Sequence, residues 1–558
     1  MTSAEQEARL RLEAGRPDQA CGILRAQLGL TPTDAQLRTM LAQLLASLGR
    51  KHEAIAELAV AVEQAPRARV ARLLLARLAN ELAQPALAEH HAKTLIASDA
   101  RDSEAWSALG SAAFGLGRRN AARDAFREAV SLAPEYAAAR YNLASVLCDQ
   151  ERSEEALAEA EAAIRLGVRS RGVTVVRARA LIQLDRLEEA EVLLCELLAA
   201  SPGDAESHGI LVRMRQLRGD ADPLRDLRAA ARPASAPAEV RLAFADALRR
   251  SRDGPSAEEE LRRLVAELGR VPQLLTSLAA VLQENGQTGD AFAHAREAHE
   301  LAPEDAGVAE NFVVSAIASG NAADALPVVE HFRAAQPADQ RWVAYRIDIA
   351  RLRRETEFDA WFDPRIVMRT YDLPAPDATL VSELGALHRQ KSHPLDQSLR
   401  GGTQTSRNLL IQPPPLVAQL LESFGSAVAE YQREIGNSEG HPLLSRNTSP
   451  AALIGCWSVR LGRAGFHVNH IHPEGWLSSA YYVSVPREVE DRIARPGWLK
   501  FGEPRFPVDG LAPFKFVQPL PGRLVLFPSY LWHGTHPLMG DESRMSVAFD
   551  AVPRAEIQ

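Results

Sequence analysis

Cysteine is scarce in this chain, with four residues in 558, and Cys21, Cys148, Cys195 and Cys456 lie far apart. No CxxC spacing and no even framework is present, so neither a disulfide scaffold nor a cysteine-rich zinc site is expected. A reducing compartment, the cytoplasm, is the expected location. No apolar run approaches membrane-spanning length, so no membrane segment is expected. No charged-then-apolar leader precedes the first helical pattern, so no signal peptide is expected. Excess positive charge is also missing. The formal net charge is −8, and no nucleic-acid partner is expected from it. What remains is a soluble globular composition, 46% hydrophobic and 24% charged, in a chain too long for one ordinary domain.

The first part of the chain repeats with a period of roughly 34 residues. A small residue recurs at one register position: Ala20, Ala54, Ala88, Ala122, Ala156 and Ala190. After a drift it returns as Ala291 and Ala325. Proline closes many units, at Pro32, Pro66, Pro134, Pro202, Pro303 and Pro337. Each unit reads as two amphipathic helices, with small residues at their closest approach and proline ending the second helix. The clearest unit carries Trp106, Leu109-Gly110, Ala122, Phe126, Ala129 and Pro134, and resembles the tetratricopeptide repeat (TPR) except that Ala113 replaces a tyrosine. About ten such units are expected over residues 1–338, stacked into an all-α superhelical solenoid whose groove would bind a protein or peptide partner. Asparagine stands at the groove position only in Asn142 and Asn311, too few for a backbone-clamping ladder. The stretch from Arg218 to Arg252, with Pro223, Pro233 and Pro237, reads as a kink or a distorted repeat.

After Pro337 the register stops. One more amphipathic helix, Arg341–Glu355, is expected as a cap, within a linker over 339–360. Helices are expected at Leu380–Arg389 and Leu416–Ile435. From Leu453 the hydrophobic period falls to two, which predicts strands at Leu453–Leu461, Leu477–Val485, Trp498–Phe501, Lys515–Gln518, Arg523–Phe527 and Met545–Ala551. Helices followed by many short strands predict a jelly roll with flanking helices over 361–558.

This region also carries an ordered set of polar residues. His467, His470 and His472 lie close together, His533 follows Phe527-Pro528, and Arg544-Met545-Ser546 comes after it. Neutral imidazoles on one side of a metal and a cation for a dicarboxylate suit a mononuclear iron enzyme. With His393-Pro394-Leu395-Asp396-Gln397-Ser398, Gly401-Gly402-Thr403-Gln404-Thr405, His470–Pro473, Tyr481-Tyr482 and Phe527–His533, the region resembles a prolyl-hydroxylase-related bacterial and phage subgroup of the 2-oxoglutarate/Fe(II)-dependent oxygenases. The resemblance implies a double-stranded β-helix core, Fe(II), 2-oxoglutarate and O2, with hydroxylation as the reaction. It implies His470, His472 and His533 as catalytic metal ligands, and Arg544, Ser546 and Tyr482 as the 2-oxoglutarate contacts. His472 stands where most relatives have a carboxylate, which leaves His472, Glu474 or water open as the third ligand. His467 reads as structural, and His536 competes with His533. Arg460 and Arg523 are the alternative cations, and Asn469 and Trp457 are candidate pocket residues. A TPR groove beside such a domain makes a protein or peptide substrate the leading reading. A small metabolite is the next, and a catalytically inactive TPR adaptor with a metal-binding jelly roll the third. The oligomeric state does not follow from the sequence.

Overall fold

Eight alanines recur at the repeat position, and all eight are fully buried: Ala20, Ala54, Ala88, Ala122, Ala156, Ala190, Ala291 and Ala325. A larger side chain there would force paired helices apart, so the small residue sets the helix–helix distance. The computed structural model describes residues 3–233, 235–392 and 397–556. Among these, twenty helices run in ten successive pairs from Ser3–Glu13 to Ala322–Ala335. The helices ending at Leu30, Gln64, Leu132, Ala200, Leu301 and Ala335 each stop two residues before one of the recurring prolines. Asp34, Asp204, Asp305 and Asp339, two residues past a proline, accept hydrogen bonds from the first turn of the next helix. Proline therefore stops one helix and aspartate starts the next. In the clearest unit a Cβ on Gly110 would meet the Phe126 ring at 2.7 Å, so only glycine lets that ring lie flat on the facing helix. The degenerate stretch holds the shortest of these helices, Arg225–Ala231.

The chain divides into two compact units, one ending at Leu181 and the other beginning at Ile182. The second unit holds the later repeats and a C-terminal β-region. Its strands are β1 (Arg369–Asp372), β2 (Leu399–Gln404), β3 (Ala451–His467), β4 (Leu477–Ser484), β5 (Leu499–Phe501), β6 (Lys515–Val517), β7 (Arg523–Pro528), β8 (His533–Thr535) and β9 (Arg544–Pro553). They form an antiparallel sheet of order β1-β7-β4-β9-β3-β2 and a smaller one of order β6-β5-β8. This is the antiparallel architecture of an oxygenase jelly roll. The helix Pro415–Ile435 covers the large sheet, with Phe424 against Tyr481 and Phe549.

The alternating strands fall where the period of two places them, though β3 runs on to His467 and the helix expected to reach Arg389 stops at Gly385. β8 opens at His533, where the resemblance implies the start of a late strand; two strands, β1 and β2, were not anticipated. They are short, and β2 reads Leu-Arg-Gly-Gly-Thr-Gln, with no alternation to detect. Its glycines have a packing reason. A Cβ on Gly402 would lie 2.3 Å from the Arg460 carbonyl oxygen, so β2 approaches β3 more closely than any side chain permits. The expected motif residues His393–Asp396 lie outside the described residues.

One apolar core in this second unit extends from Ala279 in the repeats to Val552 in β9. Its keystone is the helix Gln340–Arg353, in which Trp342 to Ala350 are all buried. Trp342 stacks on Phe332 of the last repeat at 4.7 Å, and Tyr345 lies 6.0 Å from Trp532 beside β8. The Asp348 carboxylate accepts the Trp532 indole N–H at 2.8 Å, while Arg351 donates to the carbonyls of Gly502 and Ala512.

Candidate metal centre

His470 and His533 face each other across an isolated antiparallel bridge, each backbone N–H donating to the other's carbonyl, at 2.9 and 3.0 Å. His470 follows the end of β3, and His533 opens β8 of the small sheet. Two residues after His470, the His472 N–H donates to the Ser529 carbonyl at 3.0 Å. These backbone ties bring a ring nitrogen from each of the three side chains within 4.8 Å of the others. The ring centroids are 4.2 Å apart for His470 and His533, and 5.1 and 5.2 Å from each of these to His472.

The tautomers follow from the neighbours. His470 Nδ1 lies 2.9 Å from the Val468 carbonyl oxygen, and His533 Nδ1 lies 2.9 Å from that of Leu531. His472 Nδ1 lies 2.6 Å from Asp550 Oδ2. Each Nδ1 therefore carries a proton and donates it, which leaves each Nε2 as the lone-pair site for a metal, that of His470 lying 3.3 Å from the Ser398 hydroxyl. Asp550 is held in turn: Ser478 donates its hydroxyl to Oδ1 at 2.7 Å, and the Ser478 and Ser529 hydroxyls lie 2.9 Å apart. Burial, reinforced by the neighbouring His472, pushes His470 down to about 3. Burial, then the neighbouring His470 and His472, hold His533 well below the usual histidine range. Both imidazoles stay neutral, as ligation requires. For His472, burial acts downward, but the charge and hydrogen bond of Asp550 outweigh it and leave the ring above its ordinary value. The donor set is thus three neutral-capable imidazoles with a carboxylate behind one of them, which suits Fe(II).

The alternative candidates fall elsewhere. Glu474 is exposed and stands outside the three-histidine group. His467 Nδ1 lies 3.0 Å from the Ser398 hydroxyl, and that hydroxyl lies 3.3 Å from His470 Nε2, so His467 borders the centre. His536 turns toward Phe516 and the Ala494 carbonyl. Asn469 donates to Glu503 and to the Pro504 carbonyl, tying a loop to the histidine segment.

Arg544 opens β9, and Ser546 and Asp550 follow on the same face of the strand. Its side chain is 3% exposed, donates Nη1–H to the Gly497 carbonyl at 2.6 Å, and leaves Nε without a partner. No carboxylate pairs with it among the described residues. Burial pulls this guanidinium below its usual value, opposed only by Tyr482, whose ring centroid lies 5.6 Å away. The Tyr482 hydroxyl is buried and also lacks a partner, and Tyr482 sits opposite Ser546 in the β4–β9 ladder. A buried cation beside an unsatisfied hydroxyl calls for an anionic acceptor. The two alternative cations do not: Arg460 is exposed, and Arg523 pairs with Asp372 at 3.0 Å. A dicarboxylate fits the unmet demand of Arg544 and Tyr482.

Asp550 was missed from the sequence. The available signal was a lone carboxylate in the apolar run Val547-Ala548-Phe549-Asp550-Ala551-Val552, which must find a partner when buried.

Comparison with known proteins agrees with both halves of this description. Residues 11–74, 73–137, 108–167 and 141–205 match families described as "Tetratricopeptide repeat". Residues 455–550 match the family described as "Putative 2OG-Fe(II) oxygenase". No curated protein matches the chain. Among solved structures, pilF of Pseudomonas aeruginosa is similar at 20% identity, covering 37% of this chain and 94% of its own, with a TM-score of 0.32. A thermophilic TPR protein of Thermus thermophilus is similar at 23% identity, covering 31% and 94%, with a TM-score of 0.28. MamA of Desulfovibrio magneticus is similar at 20% identity, covering 30% and 96%, also with a TM-score of 0.28. The chain thus carries tetratricopeptide repeats at its N-terminus and, at its C-terminus, a domain that matches the 2OG-Fe(II) oxygenase family.

Proposed function

We propose that the protein is an Fe(II)- and 2-oxoglutarate-dependent dioxygenase that hydroxylates a protein or peptide recruited by its TPR groove in the cytoplasm. The observation that carries this reading is the convergence of three imidazoles, each with Nδ1 anchored and Nε2 left as the lone-pair site. His470, His472 and His533 would hold the iron. Fe(II) with 2-oxoglutarate supplies oxygen activation and the oxidising power for hydroxylation.

The side chains of the chain have separate tasks. The carbonyls of Val468 and Leu531 fix the ring planes of His470 and His533. Asp550 fixes His472 and offsets positive charge arriving at its ring. Arg544 would take the far carboxylate of 2-oxoglutarate through its planar fork, with Ser546 and Tyr482 as flanking hydroxyl contacts. The burial of Arg544, Ser546 and Tyr482 keeps water from competing for that carboxylate. Protein recruitment rests on the repeats, which present extended surfaces; among the described residues no helix is long and apolar enough to cross a membrane.

The test is succinate formation by the full chain with Fe(II), 2-oxoglutarate and O2. Turnover that disappears in His533→Ala supports the reading. Stoichiometric iron binding without any succinate would leave an adaptor with a metal-binding jelly roll. Turnover stimulated by small metabolites alone would replace the protein substrate.

A further inference from the structure

Among the described residues, His470 is the one candidate ligand whose metal-facing nitrogen meets a side chain by hydrogen bond. The Ser398 hydroxyl lies 3.3 Å from His470 Nε2 and 3.0 Å from His467 Nδ1. The ring hydrogen bonds of His472 and His533 are those of Nδ1, to Asp550 and to the Leu531 carbonyl. Ser398 closes the sequence motif that begins at His393.

The backbone holds this hydroxyl in place. The Ser398 carbonyl accepts the Val468 N–H at 2.9 Å. The next residue, Leu399, is fully buried and pairs with His467 across β2 and β3. The His467 backbone N–H donates to the Thr535 hydroxyl at 2.9 Å, which ties the same segment to β8. The His467 and His470 rings lie 5.9 Å apart and 25° from parallel, and the serine hydroxyl reaches both.

The hydrogens follow from the donor and acceptor count. His470 Nδ1 donates to the Val468 carbonyl, so the neutral ring offers only a lone pair at Nε2 and must accept there. Ser398 has one hydroxyl hydrogen and gives it to Nε2. Its oxygen then accepts from His467, whose proton sits on Nδ1. The relay runs from His467 Nδ1–H to Ser398 Oγ–H to His470 Nε2. The link to His470, at 3.3 Å, is the longer and weaker one. A metal uses the same lone pair, so metal and hydroxyl exclude each other at this nitrogen. The link from His467 to Ser398 does not involve that lone pair and survives.

We propose that Ser398 is the displaceable partner of the metal at His470. Its hydroxyl satisfies Nε2 before metal binds, gives way to the metal, and stays tethered by His467. The inference rests on the metal centre proposed above and adds Ser398 and His467 to it as positioning residues. The hydroxyl keeps a buried ring nitrogen paired and its ring aimed before loading. It also lowers metal affinity by the hydrogen bond that loading must break.

The experiment titrates the metal-free full chain with Co(II), and with Fe(II) under anaerobic conditions. It reads the dissociation constant and the rise in melting temperature at saturating metal. Ser398→Ala removes a hydrogen bond that only the metal-free protein makes, so it should bind either metal about two- to tenfold more tightly. The metal-free variant should melt no higher than the parent, so its metal-induced rise should be the larger. Ser398→Thr keeps the hydroxyl and should bind as the parent does. His467→Leu removes the tether and should tighten binding less than Ser398→Ala does. Combined with Ser398→Ala it should add nothing, because the two residues act as one unit. Weaker binding in Ser398→Ala would make the serine a support or ligand of the metal and overturns the proposal. Unchanged binding overturns it as well, and additive effects of the two substitutions overturn the relay. A parent that binds neither metal removes the centre itself and this inference with it. Metal binding without succinate formation removes the oxygenase reading and leaves the role of Ser398 standing.

Discussion

The later repeats and the sheet handle buried arginines in opposite ways. Arg241, 7% exposed, donates to Glu260 at 2.6 Å and also to Glu267. Arg346, 5% exposed, holds Glu330 at 2.8 Å and Glu355 at 2.6 Å. Arg544 is equally buried and holds no carboxylate among the described residues. For Arg241 in a later repeat, and for Arg346 in the helix that follows the repeats, the carboxylate is built into the chain, so the charge serves the fold. In the sheet no carboxylate partner stands among the described residues, and the proposed role of the unmet charge is to take a ligand. A buried, unpaired cation is unfavourable for stability and informative about function for the same reason.

The largest effect is expected from cutting the two regions apart. A fragment starting at residue 356 lacks the helix Gln340–Arg353, and with it Trp342, Tyr345 and Asp348 from the shared core. It should aggregate or bind no iron; a soluble, iron-binding fragment would show that the sheet keeps its own core. Next, His470→Ala and His533→Ala should each bring iron content after anaerobic reconstitution close to background. Full occupancy in both would remove the metal assignment. His472→Ala is the sharper case, because unchanged iron and turnover would return the third position to Glu474 or water.

The arginine comparison can be tested directly. Loss of a buried charge-assisted pair costs about 2–5 kcal/mol, so Arg544→Ala should weaken 2-oxoglutarate binding more than about tenfold and spare iron. Arg241→Ala should instead lower the melting temperature and leave 2-oxoglutarate affinity alone. The same outcome in both variants would end the distinction. A smaller effect is expected at Asp550→Asn, where His472 loses its charged partner. Iron affinity should fall by about 10- to 100-fold, as for other residues that support a ligating histidine. An unchanged affinity would make Asp550 a packing residue.

The last effect depends on pH and fades in acid. Asp348 is fully buried, and burial raises its carboxyl to about 7, with Arg351 and the Trp532 indole N–H opposing. The folded state then keeps a proton that the unfolded chain releases near the ordinary carboxyl value. This contribution is fully present at acid pH and is lost as pH rises toward 7. Asp348→Asn keeps an acceptor for Trp532 and never ionises. It should be more stable than the parent at pH 8, by roughly 1–4 kcal/mol, with the gain fading near pH 4. Urea midpoints at the two pH values read this, and a gain that does not shrink in acid would place the cause elsewhere.

The sequence alone determined the helical repeats, because the spacing of Ala20 through Ala325 and of the closing prolines is a local, periodic signal. It also showed where the period changes from helical to two, and it carried His470, His472, His533 and Arg544 in order. Strands β1 and β2 were illegible because neither carries an alternating apolar run; they form by pairing, and pairing is set by distant residues such as Arg460 and Leu526. The register break after Pro337 was equally visible, but it marks where the repeat pattern ends and not where packing ends. Only the tertiary structure decided that Trp342 and Tyr345 seal one core, that Asp550 stands behind His472, and that Arg544 has no carboxylate partner among the described residues. Each of these depends on which distant groups become neighbours when the chain closes, and no local pattern of residues encodes that.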